Sequence, residues 1–323
     1  MRKTWDTLFG LDYGKDIRKS LWLSETSARK GADKKLFLGE KTITMVVPPN
    51  SYHGLTIRLK GVGKELDFNW RAPLLRRKRG NALVKLFVYP DAITPKYGSF
   101  EMLSTEDMAL EGWVYRKFDE VIGKLGQSAL PMHPFTAGAI ADLYNEGGWT
   151  RIFYALVNHL KLAHLIIELT SSASLSSPGV CERIPIVTNT ITVVENNILS
   201  YTTTASRNAI VPDSPPVGYT YRITIKEQFM DNPFSIAAIL AHELCHIVYL
   251  SKIDDTPWSA RYVTKSDKVT LEEERTVDLL AFVFRMGEFQ LRVARDTRLT
   301  LGYFNQEVFE RIQVIVSRKL NPL

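Results

Sequence analysis

The run Ala241-His242-Glu243-Leu244-Cys245-His246 carries two histidines and a glutamate in the pattern H-E-x-x-H, the part of the chain whose residue types and spacing best suit chemistry. Asn232-Pro233 marks a helix start, and Phe234 to Leu250 continues without another glycine or proline, so both histidines belong to one helix. Side chains four residues apart on a helix face the same way about 6 Å apart. Two imidazoles so placed converge on one ion at zinc–nitrogen distances of about 2.0–2.1 Å. Glu243, next to them, is within reach of a water activated by that ion. It suits a general base that takes the water proton and passes it to a leaving amine. Between Ile236 and Val248 the only ionisable side chains besides Cys245 are these three. A helix apolar nearly all round is buried, and polar groups on it need partners or a metal. Cys245 lies one residue off the histidine face and reads as core packing.

A catalytic zinc takes three protein ligands and keeps one open position. The six histidines are His53, His133, His159, His164, His242 and His246, so none follows the motif, and Tyr249 and Lys252 stand where the longer H-E-x-x-H-x-x-G-x-x-H pattern has Gly and His. The third ligand is therefore expected to be a carboxylate. Thr270-Leu271-Glu272-Glu273-Glu274-Arg275-Thr276-Val277-Asp278 reads as a helix start with a capping box joining Thr270 and Glu273, which leaves Glu274 free. Glu274 and Asp278 share a face four residues apart, so Glu274 can bind the metal while Asp278 accepts the outer N–H of a ligating histidine. Asp254 or Asp255 is the alternative carboxylate. Tyr262, Tyr249 or Arg261 could supply the donor that a transition-state oxyanion needs.

This pairing of an H-E-x-x-H helix with an E-x-x-x-D helix resembles the zincin metallopeptidases that use a glutamate third ligand. Asn232-Pro233, the motif itself, Glu273 to Leu279 and Gly302-Tyr303-Phe304-Asn305-Gln306 look more narrowly like a group of bacterial zincin-like proteins, over roughly residues 215 to 310. The resemblance implies Glu274 as third ligand, Asp278 as the acid that orients a histidine, and peptide-bond hydrolysis.

The elements that position these residues are expected to belong to two domains of α+β class, 1–103 and 104–323. In the first, Lys41 to Val47, Leu55 to Leu59 and Asn81 to Pro90 read as strands, with Pro48-Pro49-Asn50 and Gly61-Val62-Gly63 as breaks. Together with Lys34 to Leu38, these segments resemble the C-terminal peptide-binding β-domain of J-domain (DnaJ-type) co-chaperones, over roughly residues 18 to 95. That resemblance implies a β-sandwich-like domain holding unfolded peptide in an apolar groove. The J domain's His-Pro-Asp is absent, since His133-Pro134 precedes Phe135, and no stimulation of a chaperone ATPase is expected.

From Ser104 the pattern turns helical, with Leu110, Val114, Phe118, Val121 and Leu125 at helical spacing. Further helices are expected over Thr136 to Tyr144 and Arg151 to Leu169, and strands over Ile184 to Val194 and Tyr219 to Ile225. The active helix should pack on this small sheet. Tyr219 to Ile225, directly before that helix, is expected as an edge strand able to pair with an extended substrate.

With 45% hydrophobic and 24% charged residues, the composition is that of a globular protein and argues against disorder. No early apolar stretch suits a signal peptide, and the helical pattern of 152–169 is interrupted by Asn158, His159, Lys161, His164 and Glu168, so a cytoplasmic protein without a membrane segment is expected. The two cysteines, Cys181 and Cys245, fit a reducing compartment. Of the +6 net charge, Arg71, Arg76, Arg77, Lys78 and Arg79 crowd into nine residues. Without interleaved aromatics this reads as a solvated loop, with binding to nucleic acid, and hence action on DNA-associated proteins, as a minor alternative. A non-enzymatic peptide-binding scaffold with a structural zinc is the other rival. Glu243 argues against it, because a structural site gains nothing from a base beside a water position.

Overall fold

The computed structural model describes residues 16–39, 41–64, 79–91, 105–186, 218–254, 271–295 and 304–321. Helices and strands are mixed throughout, as expected of an α+β chain, and the chain divides into two compact units. The first comprises residues 1–93 and 138–151, the second 94–137 and 152–323.

In the first unit the alternation of Ala82, Val84 and Leu86 with Leu83 and Lys85 makes β5 (Ala82–Tyr89) a strand with one buried face. It is central in a three-stranded sheet. On one side lies β1 (Ile17–Ser24), parallel to it, and on the other β4 (Thr56–Leu59), antiparallel. The short helix α1 (Glu25–Lys30) follows β1, capped by the Ser24 hydroxyl. A hairpin of β2 (Ala32–Phe37) and β3 (Thr42–Val47) contributes Leu36, Met45 and Val47 to the same core as Leu21, Leu23, Val84 and Leu86. Asn145 joins this unit by accepting from the Trp22 N–H at 2.9 Å and donating to the Trp22 carbonyl at 2.8 Å.

The second unit holds the H-E-x-x-H motif. Its helix α2 (Thr105–Leu125) buries Val114, Phe118 and Val121, three of the five positions expected from the spacing. Helix α3 (Ala137–His159), which spans both units, covers the two helices expected at 136–144 and 151–169, with two corrections. The segments are joined through Gly147 and Gly148, where the helical geometry breaks and Gly148 takes φ +69°, a conformation open to glycine. The second segment also ends ten residues early. Lys161 adopts φ +56°, the Leu162 N–H closes onto the Val157 carbonyl, and residues 167–172 form strand β6 (Ile167–Ser172) instead of helix.

Strand β7 (Gly179–Ile186) begins five residues before its expected start, and the remainder of the expected strand, 187–194, lies outside the described residues. Strand β8 (Gly218–Lys226) is the central strand of the sheet β6-β8-β7, parallel to β6 and antiparallel to β7. Its assignment as an edge strand is therefore wrong: both its sides are hydrogen-bonded, and among the described strands β7 is the edge beside the motif helix.

That helix, α4 (Pro233–Val248), starts as expected, with the Asn232 side chain accepting from the Phe234 and Ser235 N–H groups and Pro233 in the first turn. It continues into a π-turn, Tyr249–Ile253. Among the described residues, the run from Pro233 to Ile253 is the one helix long and apolar enough to cross a membrane, but 83% of its most apolar window is buried inside the protein, as a core helix requires. It packs on β7 and β8 and against α5 (Leu271–Val283) and α6 (Gly287–Ala294). The last helix, α7 (Gln306–Leu320), is capped by Asn305 and packs on α5 and α6.

Candidate metal centre

Every residue of α4 is buried, so His242, Glu243 and His246 enter the protein interior on a helix with no solvated face. The neighbouring α5 brings three successive glutamates, which point to three destinations because each helical step turns by about 100°. Glu272 turns outward to the Lys117 ammonium at 3.0 Å and the Trp113 indole N–H at 3.3 Å. Glu273 reaches the Nδ1 of His246 at 3.4 Å. Glu274 turns to the Nε2 atoms of both histidines.

One oxygen of Glu274 lies 3.1 Å from His242 Nε2 and 3.6 Å from His246 Nε2, and the two Nε2 atoms are 3.3 Å apart. These three distances nearly match the edge of a tetrahedron whose centre lies about 2.0–2.1 Å from each corner, an edge of about 3.3–3.4 Å. On the far side of each ring, His242 Nδ1 meets Asp278 Oδ1 at 3.0 Å and His246 Nδ1 meets Glu273. With each Nδ1–H donating to a carboxylate, both Nε2 lone pairs face one another and the Glu274 oxygen. A buried triangle of three acceptors is repulsive by itself and suits a cation. The donor set thus fits a metal ion held by His242, His246 and Glu274. Among the described residues no fourth histidine, cysteine or carboxylate joins the group.

The titration behaviour follows from the same contacts. Burial opposes a charge on His242, but hydrogen bonds to Asp278 and Glu274 outweigh it and hold the imidazolium well above its ordinary range. His246 is treated alike by burial and by Glu273 and Glu274, and is raised to about 9. Glu274 is lowered to about 2, because the two histidines overcome its desolvation. Each raised histidine stabilises the metal-free fold fully below its unfolded pKa of about 6.5 and loses that contribution as pH rises through its folded value. A metal must displace these protons. Its affinity is therefore expected to fall on acidification by about tenfold per pH unit for each histidine proton displaced, the His246 contribution ceasing above about pH 9. Competition titrations with a chelator at several pH values check this slope; an affinity independent of pH between 6 and 8 would contradict it.

Glu243 does not enter the triangle. Burial raises its carboxyl above its ordinary range against the pull of the two histidines, which makes it a better proton acceptor. It lies against β7: a Cβ built on Gly179 would come 2.8 Å from Glu243 Oε1 and 2.5 Å from Ile239 Cγ2. Gly179 leaves room for the carboxylate where any other residue would displace it.

Of the expected site residues, the structure brings together His242, His246, Glu274 and Asp278, with Glu243 beside them. Asp254 is not in the ligand group, while Asp255, Arg261, Tyr262 and Thr270 lie outside the described residues, as do Arg71, Arg76, Arg77 and Lys78. Tyr249 is half-buried at the start of the π-turn. Cys245 is buried in the core, where desolvation pushes its thiol well up, and both cysteines are free thiols. Glu273 and Gly179 were not anticipated as site residues. The acidic Glu272-Glu273-Glu274 run carried a hint of the first, but Gly179 has no local signal.

Since Asp278 and Glu273 each hold one ring of the candidate ligand group, Asp278→Ala and Glu273→Gln are each expected to weaken metal affinity by roughly 10–100-fold, as the loss of such supporting hydrogen bonds usually does. The Asp278 loss should be the larger, because its bond is shorter and the group is 0% exposed. Metal affinity measured against a chelator series decides this; unchanged affinity in both variants would remove their supporting role.

No protein-family model matches the chain, and no curated protein matches it either.

Proposed function

We propose that the protein is a zinc-dependent peptidase of zincin type, with His242, His246 and Glu274 as ligands and Glu243 as general base. The observation that carries this reading is the ligand triangle with one buried, non-ligating carboxylate next to it in the chain. Two imidazoles and one carboxylate are a donor set that suits zinc, and three protein ligands leave a position for chemistry, which a structural site would close. Zinc bound there supplies the Lewis acidity that polarises a carbonyl and brings the pKa of water near 7.

The chain's own groups do the rest. Glu243, with its proton affinity raised by burial, takes the proton of the attacking water and returns it to the leaving nitrogen. Asp278 and Glu273 fix the ring orientations. An extended substrate finds its pairing edge on β7, not on β8. Lys226 donates to the Pro178 carbonyl, so the even-numbered residues of β7 bond β8, and the odd-numbered ones face away from it: the Cys181 N–H donates to the Glu243 carboxylate, and Arg183 turns its backbone groups to the open side. The first unit, by its resemblance to the co-chaperone β-domain, would hold unfolded segments of the substrate. The locale consistent with two free thiols is a reducing one.

Digestion of a peptide library by zinc-loaded protein, with new amino termini identified, tests the reading. Cleavage that stops on chelation and returns with zinc is expected; a fully zinc-loaded protein that cleaves nothing, folded or unfolded, would overturn it.

A further inference from the structure

Strand β7 carries a second feature on the same face as Gly179. Side chains alternate across a strand, so Gly179, Cys181 and Arg183 all point to the side on which α4 packs, opposite the buried Tyr221, Ile223 and Ile225 of β8. Cys181 lies close enough to feel the charges of Glu243 and Glu273, and Arg183 is two residues, about 7 Å, further along the strand. Its guanidinium lies over the Tyr219 ring, 4.4 Å from the centroid. Stacking fixes the plane of an arginine while leaving the N–H groups at its edge free to donate in a fork.

The opposite face of this sheet shows what an arginine here ordinarily receives. Arg222, on the neighbouring strand, is supplied with Glu168 at 2.8 Å and Glu182 at 4.0 Å, one from each flanking strand. On the α4 face the cross-strand neighbours are Tyr219, Tyr221 and Ile223, and among the described residues no carboxylate pairs with Arg183. A half-buried, oriented guanidinium lacking such a partner, two residues along β7 from the Cys181 N–H that meets the general base, is built to accept a carboxylate from outside.

We infer that Arg183 is a specificity-determining residue that binds a carboxylate of the peptide, so that the site selects acidic peptides. This rests on the peptidase reading for the identity of the ligand. The carboxylate comes from an Asp or Glu side chain or from the peptide's C-terminus.

Binding, measured apart from turnover, tests the assignment. Fluorescence anisotropy on zinc-loaded Glu243→Gln protein would compare peptides carrying Glu or Gln at each successive position, and free or amidated C-termini. At one position, or at the free C-terminus, the carboxylate form is expected to bind roughly ten- to hundredfold more tightly, as a charge-assisted fork allows. Arg183→Met should erase that difference without changing the affinity of the neutral form, and Arg183→Lys should restore only part of it, with zinc content as the check on folding. Equal binding of both forms, equal weakening of both by Arg183→Met, or no binding of any peptide would overturn the inference. Turnover by the wild-type protein on the same peptides is read separately: acid-selective binding without cleavage would sink the peptidase reading and leave the role of Arg183 standing.

Discussion

Glu243→Gln is expected to abolish turnover while the protein keeps its metal. The substitution preserves the shape of the side chain beside Gly179 and removes only its ability to accept a proton. Because the ligand triangle is made by His242, His246 and Glu274, it has no reason to open. A positioned general base contributes about 10²–10⁴-fold to a rate, and the loss should fall in that range or beyond it, in kcat more than in KM. Single-turnover cleavage and metal analysis on the same preparation separate the two effects. Loss of metal together with activity would mean that Glu243 is a ligand, and full activity would mean that another group is the base.

Glu274→Ala is expected to have the largest effect on metal retention. Removing this carboxylate takes away one corner of the triangle and the only anion in it. What remains is two imidazoles 3.3 Å apart, with no anion among the ligands to offset the ion's charge. The loss should exceed the roughly 10–100-fold expected for a supporting hydrogen bond such as that of Asp278. Asp254→Ala, by contrast, should leave metal content unchanged, since Asp254 follows the π-turn and takes no part in the ligand group. Isothermal titration of the metal-free variants checks both expectations. If Asp254→Ala strips the ion and Glu274→Ala does not, the ligand assignment is wrong.

The H-E-x-x-H helix was legible in the sequence because its signals are local: a capping asparagine, a proline in the first turn, and polar groups isolated on an apolar helix. Glu274 and Asp278 were legible for the same reason, through their four-residue spacing. The misread elements all depended on non-local contacts or on backbone geometry without a residue signature. The helix expected at 151–169 ends at His159, just before Lys161, a non-glycine residue at positive φ, so nothing in the apolar run Leu160, Leu162, Leu165, Ile166, Ile167 announced the change from helix to strand. Hiding β6 inside a helix then made β8 look like an edge, because alternation reports a buried face and not the number of neighbours. The capping box of Thr270 and Glu273 involves a residue outside the described ones, and the contact of Glu273 with His246 had no local signal because it bridges two helices. Gly179 became meaningful only once β7 was seen against Glu243.

The most direct test is metal analysis of protein purified without chelators, for the wild type and for a His246→Ala, Glu274→Ala double variant. The account predicts about one zinc per chain in the wild type and none in the folded double variant. A wild type devoid of metal that also takes up none on titration, or a double variant that keeps its zinc, would contradict it.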